Sequence, residues 1–121
     1  MDIFLVEDSE MVRKRLKAIV NDINGMHVTG EAISAMHAID SILTSKPDAV
    51  VLDIGLVGSS GVSVLRRVHQ LMPDLPIIVL TNYFSSEFKQ VCLDAGAKFF
   101  FDKSHEFEKI GSALVEIALQ D

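Results

Sequence analysis

The chain is expected to fold as a doubly wound α/β domain, with five β/α units forming one parallel sheet. Three observations lead there. The short runs Ile3-Phe4-Leu5-Val6, Ala49-Val50-Val51-Leu52 and Ile77-Ile78-Val79-Leu80 contain no polar residue, and read as strands buried on both faces, as a parallel sheet requires. Segments of helical period separate them, so strand and helix signals alternate along the chain. Glycine, proline and asparagine punctuate that alternation, and no low-complexity linker or repeat interrupts it.

A first strand over about residues 2–6 leads into a helix that Ser9 or Asp8 can cap and that runs to about residue 21. Its apolar positions Val12, Leu16, Ile19 and Val20 share the helical period, and the basic cluster Arg13, Lys14, Arg15 and Lys17 is expected on solvated faces. Asn24-Gly25 turns the chain into a second strand, about 27–32, and Ala35, Ile39, Ile42 and Leu43 mark the second helix. Lys46-Pro47-Asp48 breaks that helix before the third strand. The glycine- and serine-rich loop 55–61 then leads to a helix bearing Val62, Leu65 and Val68, without the lysine and spacing of a P-loop. Met72-Pro73-Asp74-Leu75-Pro76 turns into the fourth strand, a helix over about 85–95 follows, and Gly96 ends it. In the fifth strand, side-chain alternation puts Phe100 on the face opposite Phe99 and Phe101. A last helix carries Phe107, Ile110, Leu114 and Ile117. These units fit a flavodoxin-like sheet of strand order 2-1-3-4-5 with helices on both faces.

Length and composition narrow the function. The 121 residues are about one domain, 1–121, with room for a single core. A formal net charge of -6 and a sequence pI near 5.1 lack the electrostatic footprint of a nucleic-acid binder, so no direct nucleic-acid contact is expected. Although 49% of residues are hydrophobic, no apolar run approaches the roughly 20 residues that cross a bilayer, and no membrane partner is expected. Met1 leads almost directly into the first strand, so no signal peptide is expected and the expected location is cytoplasmic. The lone Cys92 excludes an internal disulfide; in register with Phe84, Phe88, Val91 and Ala95, it is expected to be buried. His27, His37, His69 and His105 show no ligand spacing.

The strand ends carry the chemistry. Glu7 and Asp8 follow the first strand, Asp53 the third, Thr81 the fourth and Lys103 the fifth. In an open parallel sheet these ends share one crevice. Taken singly, each has an ordinary explanation: Glu7-Asp8 favours a helix N-terminus, Asp53 suits a turn, Thr81 a strand end and Lys103 a solvated surface. Three acids, a hydroxyl and an ammonium arriving together at successive strand ends outweigh those separate readings.

This constellation resembles the receiver domain of two-component response regulators, in order and spacing, over essentially the whole chain; Gly61, eight residues beyond Asp53, matches a glycine often found there. The resemblance implies that Asp53 accepts a phosphoryl group, that Lys103 and Thr81 contact it, and that Asp8, Asp53, Glu7 and the Gly55 backbone carbonyl hold Mg²⁺. Carboxylates about 5 Å apart repel by roughly 3 kcal/mol per pair at an effective dielectric of 20, and Mg²⁺, which takes oxygen ligands, is the natural counter-ion. The resemblance further implies a switch in which Thr81 and Phe100 move together and alter the surface of the fourth helix, fifth strand and fifth helix. The implied partners are a sensor histidine kinase or histidine phosphotransfer protein and a downstream protein or fused effector domain, with a homodimer possible on phosphorylation. Beyond weak self-phosphorylation from small phosphodonors and self-dephosphorylation, no enzymatic activity is implied.

Departures from the pattern fall on the switch side. Ser104 stands where the family usually has a proline after the lysine, so either a trans bond with a shifted loop or a strained cis bond is expected. Val57 replaces a common proline, Phe100 lacks the hydroxyl of the commoner tyrosine, and Asn82 and Tyr83 follow Thr81 where a small residue often comes first. A degenerate receiver that only binds a partner is one alternative. A phosphatase of the haloacid dehalogenase type is another, but neither Glu7-Asp8-Ser9 nor Asp53-Ile54-Gly55 forms that family's DxD motif.

Overall fold

A computed structural model of the chain describes residues 1–55, 61–82 and 85–120, the side chains of residues 35 and 36 excepted. Val57, Tyr83, Phe84 and the centre of the glycine- and serine-rich loop lie outside the described residues. Strands β1 (Asp2–Val6), β2 (His27–Ala32), β3 (Ala49–Asp53), β4 (Ile77–Thr81) and β5 (Phe99–Asp102) alternate with helices α1 (Glu10–Asn21), α2 (Ala35–Ser45), α3 (Gly61–Leu71), α4 (Ser86–Asp94) and α5 (Lys109–Leu119). All strand pairs are parallel, in the order β2-β1-β3-β4-β5, as the sequence predicts.

Strand alternation divides the core between the two faces. Phe4, Val6, Val50, Leu52, Ile77, Val79 and Phe100 face α2, α3 and α4, where Ala38, Ile42, Val64, Leu65, Val68 and Cys92 meet them. Ile3, Leu5, Ala49, Val51, Ile78 and Leu80 face α1 and α5, meeting Leu16, Val20, Ile110, Ala113, Leu114 and Ile117. Every residue of β3 and β4 is buried, which accounts for their wholly apolar runs.

Local chemistry sets the helix ends that matter for the crevice. Ser9 caps α1, its hydroxyl accepting the Val12 N–H at 3.3 Å, and Ser85 caps α4 in the same way at Phe88, at 3.0 Å. Gly61 opens α3 hard against the chain leaving β3: a Cβ there would lie 2.2 Å from the Ile54 carbonyl oxygen. Gly96, at a φ of +117°, leaves α4 with the His69 ring where its Cβ would be.

Three details refine the sequence reading, and the place of Phe107 corrects it. Val91 is 41% exposed although Cys92 beside it is fully buried, because only one face of the short α4 meets the sheet. Phe107 precedes α5 rather than lying in it, yet is buried. The Lys103–Ser104 bond is trans, the first of the two forms expected, there being no cis peptide among the described residues.

Candidate functional site

The sheet register brings the strand ends level: Val6 pairs with Leu52, Asp53 with Leu80 and Thr81 with Asp102. Two further backbone bonds extend it past the strands, from Ile54 N–H to the Leu80 carbonyl at 3.0 Å and from Lys103 N–H to the Thr81 carbonyl at 2.8 Å. Glu7, Asp8, Asp53, Gly55 and Lys103 consequently line one cleft of about 440 Å³. A hollow of about 430 Å³ at the amino ends of β3 and β4 is lined, among the described residues, by prolines, Met72, Leu75, Asp48 and Asp74.

Lys103 is the electrostatic centre of the cleft. Its ammonium lies 2.7 Å from Glu7 Oε1 and 3.1 Å from Asp53 Oδ2, with only 11% of its side chain exposed. Burial works against that charge, but the Glu7 hydrogen bond and the Asp53 and Glu7 charges prevail and hold the lysine pKa above its ordinary value. The other Glu7 oxygen accepts the Ser9 N–H at 3.0 Å, so both carboxylate oxygens are engaged. Burial nevertheless raises the Glu7 pKa, and the nearby Asp53 charge adds to this. Asp53 is fixed on its other side by the Gly55 N–H, which donates to Oδ1 at 3.0 Å.

Thr81 and Phe100 stand apart from the cleft lining. Thr81 is buried at the end of β4. Phe100 is only 3% exposed and packs edge-to-face on Phe88 of α4, ring centroids 5.9 Å apart at 76°. Phe99 and Phe101 stack on the opposite face, as the alternation predicts. Phe100 is thus already inward.

Some of the basic cluster proves to belong to the site. Arg13 Nη1 donates to the Glu7 carbonyl at 2.9 Å and the Asp8 carbonyl at 3.1 Å, tying the β1–α1 turn to its own helix. Its spacing of five and six residues from those acids is the signal that could have revealed it. Asp102 organises the other rim. Its Oδ1 accepts the Ser104 N–H at 2.9 Å, and its Oδ2 lies 3.0 Å from His105 Nδ1. The Ser104 N–H, and then His105, hold the Asp102 pKa below the usual carboxylate value. A proline at 104 would have no N–H to give.

A family model for the response regulator receiver domain matches residues 3–115. The chain belongs to that family. An uncharacterized transcriptional regulatory protein of Bacillus subtilis (strain 168), YhcZ, is 34% identical over 110 residues, covering 91% of this receiver and 51% of the relative. The DNA-binding transcriptional activator DevR/DosR of Mycobacterium tuberculosis (strain ATCC 25618 / H37Rv) is 31% identical over 115 residues, covering 95% and 53%. The receiver spans about half the length of these curated relatives. A crystal structure of a LuxR-family two-component response regulator from Aurantimonas sp. SI85-9A1 aligns with a TM-score of 0.87 at 28% identity, covering 97% of this chain and 84% of that one. Membership in this family, whose members are signalling proteins, leaves no support for the dehalogenase-type reading.

The receiver family binds Mg²⁺ at an acidic pocket, and the residues present here fit that ion. Glu7, Asp8 and Asp53 each offer a carboxylate oxygen, all within 4.8 Å of one another. Three carboxylates outnumber the Lys103 ammonium and the Arg15 guanidinium that line the same cleft, leaving a negative surplus that a divalent cation offsets, and the donors are all oxygen. Among the described residues no helix is long and apolar enough to cross a membrane.

Proposed function

We propose that this receiver accepts a phosphoryl group on Asp53 in a Mg²⁺-dependent reaction and thereby switches its α4–β5–α5 surface. The observation that carries the reading is the Lys103 ammonium 3.1 Å from Asp53 Oδ2, in a cleft that two further carboxylates also line. A buried aspartate with an ammonium at one oxygen and a backbone N–H at the other is oriented as a nucleophile, not simply neutralised.

In this reading an Asp53 oxygen forms a bond to phosphorus as the donor's bond to phosphorus breaks. The leaving group, an imidazole nitrogen or the acetate of acetyl phosphate, departs with the bonding electron pair. Lys103 meets the negative charge spreading over the phosphoryl oxygens. Asp8, Asp53, Glu7 and the Gly55 carbonyl would hold Mg²⁺, which supplies further neutralisation of that charge. Afterwards Thr81 donates its hydroxyl to a phosphoryl oxygen. Since Phe100 is already inward, the change passes to α4 through its contact with Phe88 rather than through an outside-to-inside swing.

A protein phosphohistidine, on a sensor histidine kinase or a histidine phosphotransfer protein, is the natural donor. The output is a downstream protein, a fused effector domain or a homodimer formed on phosphorylation. The relatives twice this length, named as transcriptional regulators, support an effector of that kind. The receiver's own charge of -6 makes it a poor direct DNA ligand.

The test is intact-mass measurement after incubation with acetyl phosphate. One added phosphoryl group with Mg²⁺ and none with excess chelator is the expected pair of results; equal labelling in both would overturn the metal-dependent reading.

A further inference from the structure

Two side chains at the cleft mouth have no part in the chemistry above. Arg15, from α1, and Phe107, from the turn before α5, both line the cleft. The guanidinium carbon of Arg15 lies 4.0 Å from the centroid of the Phe107 ring, which is itself buried. A guanidinium held on an aromatic face loses torsional freedom while its N–H edge stays available for hydrogen bonding. The other cations of α1 are occupied: Arg13 and Lys17 pair with Glu31, and Lys14 with Glu10. Arg15 has no carboxylate partner among the described residues, although it shares a cleft with three carboxylates.

We infer that Arg15 is a donor-binding residue: its guanidinium, aligned by Phe107, takes the anionic phosphoryl oxygens of the incoming donor at the cleft mouth, while Lys103 receives them at the floor. The inference rests on the phosphoacceptor reading and adds a second cation to it. The cleft repels a phosphoryl dianion through Glu7, Asp8 and Asp53, and a cation at its mouth offsets that repulsion during approach. The planar N–H fork suits phosphoryl oxygens better than a lysine ammonium does. The recognised group is the phosphoryl dianion itself, so a small phosphodonor and a protein phosphohistidine meet the same contact.

The experiment measures the second-order rate constant for phosphorylation of Asp53 by acetyl phosphate and, separately, by phosphoramidate, in wild type, Arg15→Ala, Arg15→Gln and Arg15→Lys. Loss of a charge-assisted contact should lower the constant about tenfold in the Ala and Gln variants with both donors. The Lys variant should recover part of it. The Mg²⁺-induced rise in melting temperature should equal that of wild type in all variants, showing an intact acidic cleft. Undiminished rates in Arg15→Ala, an Arg15→Lys no better than Ala, or a loss confined to acetyl phosphate would each overturn the donor contact. Absence of any labelling in wild type would instead overturn the phosphoacceptor reading on which it rests.

Discussion

Lys103 at the end of β5 is bound to Glu7 at the end of β1, Nζ to Oε1 at 2.7 Å, although β3 and β4 lie between those strands in the sheet. The lysine reaches across two strand ends and meets Asp53 at 3.1 Å on the way. One cation therefore sets the spacing of acids from the first and third strands.

Removing that cation should expose its cost. Lys103→Met leaves the buried Glu7 and Asp53 without a counter-charge, and is expected to destabilise the protein by about 3 kcal/mol in urea unfolding without Mg²⁺. Adding Glu7→Gln should recover much of that loss, since the uncompensated charge is then gone. Simple additivity of the two substitutions would show that the contact is energetically idle.

Asp8 offers the opposite trade. It is the solvent-exposed member of the acidic cluster, so it adds repulsion without sharing the Lys103 contact. Asp8→Asn should raise the melting temperature without metal by a few degrees, equivalent to about 1 kcal/mol after allowing for solvent screening. It should also lose most of the Mg²⁺-induced shift. Equal metal shifts in variant and wild type would make Asp8 a helix-end acid only.

Gly61 tests the backbone that frames Asp53. A Cβ there meets the Ile54 carbonyl oxygen at 2.2 Å, and backbone cannot yield as a side chain does. Gly61→Ala should cost about 2 kcal/mol or more by chemical denaturation. An unchanged midpoint would show that the β3–α3 connection has slack.

Much of this was legible beforehand because it depends on short stretches of chain. The wholly apolar β3 and β4, and the polar residue closing each, announce both the buried sheet and the contents of its carboxyl edge. The resemblance then assigned roles that strand ends alone leave open. What escaped depends on chain segments far apart: Arg15 meets Phe107 only because α1 and α5 pack on the same face. Ser104 read as a missing proline, whereas its N–H has a use in the Asp102 turn. Val91 sits in helical register with Cys92 yet faces solvent, because periodicity marks a stripe without fixing its width.

The output route is tested at Phe100. Phe100→Leu should keep the fold at a cost of about 1 kcal/mol while removing the edge-to-face contact with Phe88. Phosphorylation rate should stay near wild type, and the phosphate-induced gain in self-association or partner binding should fall. A full-sized gain would send the signal by another path, with the Lys103–Ser104 turn next in line.

The most direct measurement is the mass of wild type and Asp53→Asn after exposure to acetyl phosphate and Mg²⁺, with peptide mapping of any adduct. Asn keeps the side chain's shape but withdraws the carboxylate that Lys103 and the Gly55 N–H orient. The account predicts a single phosphoryl group on the peptide containing Asp53 in wild type and none in the variant. An undiminished adduct in Asp53→Asn, or one mapped to another residue in wild type, would contradict it.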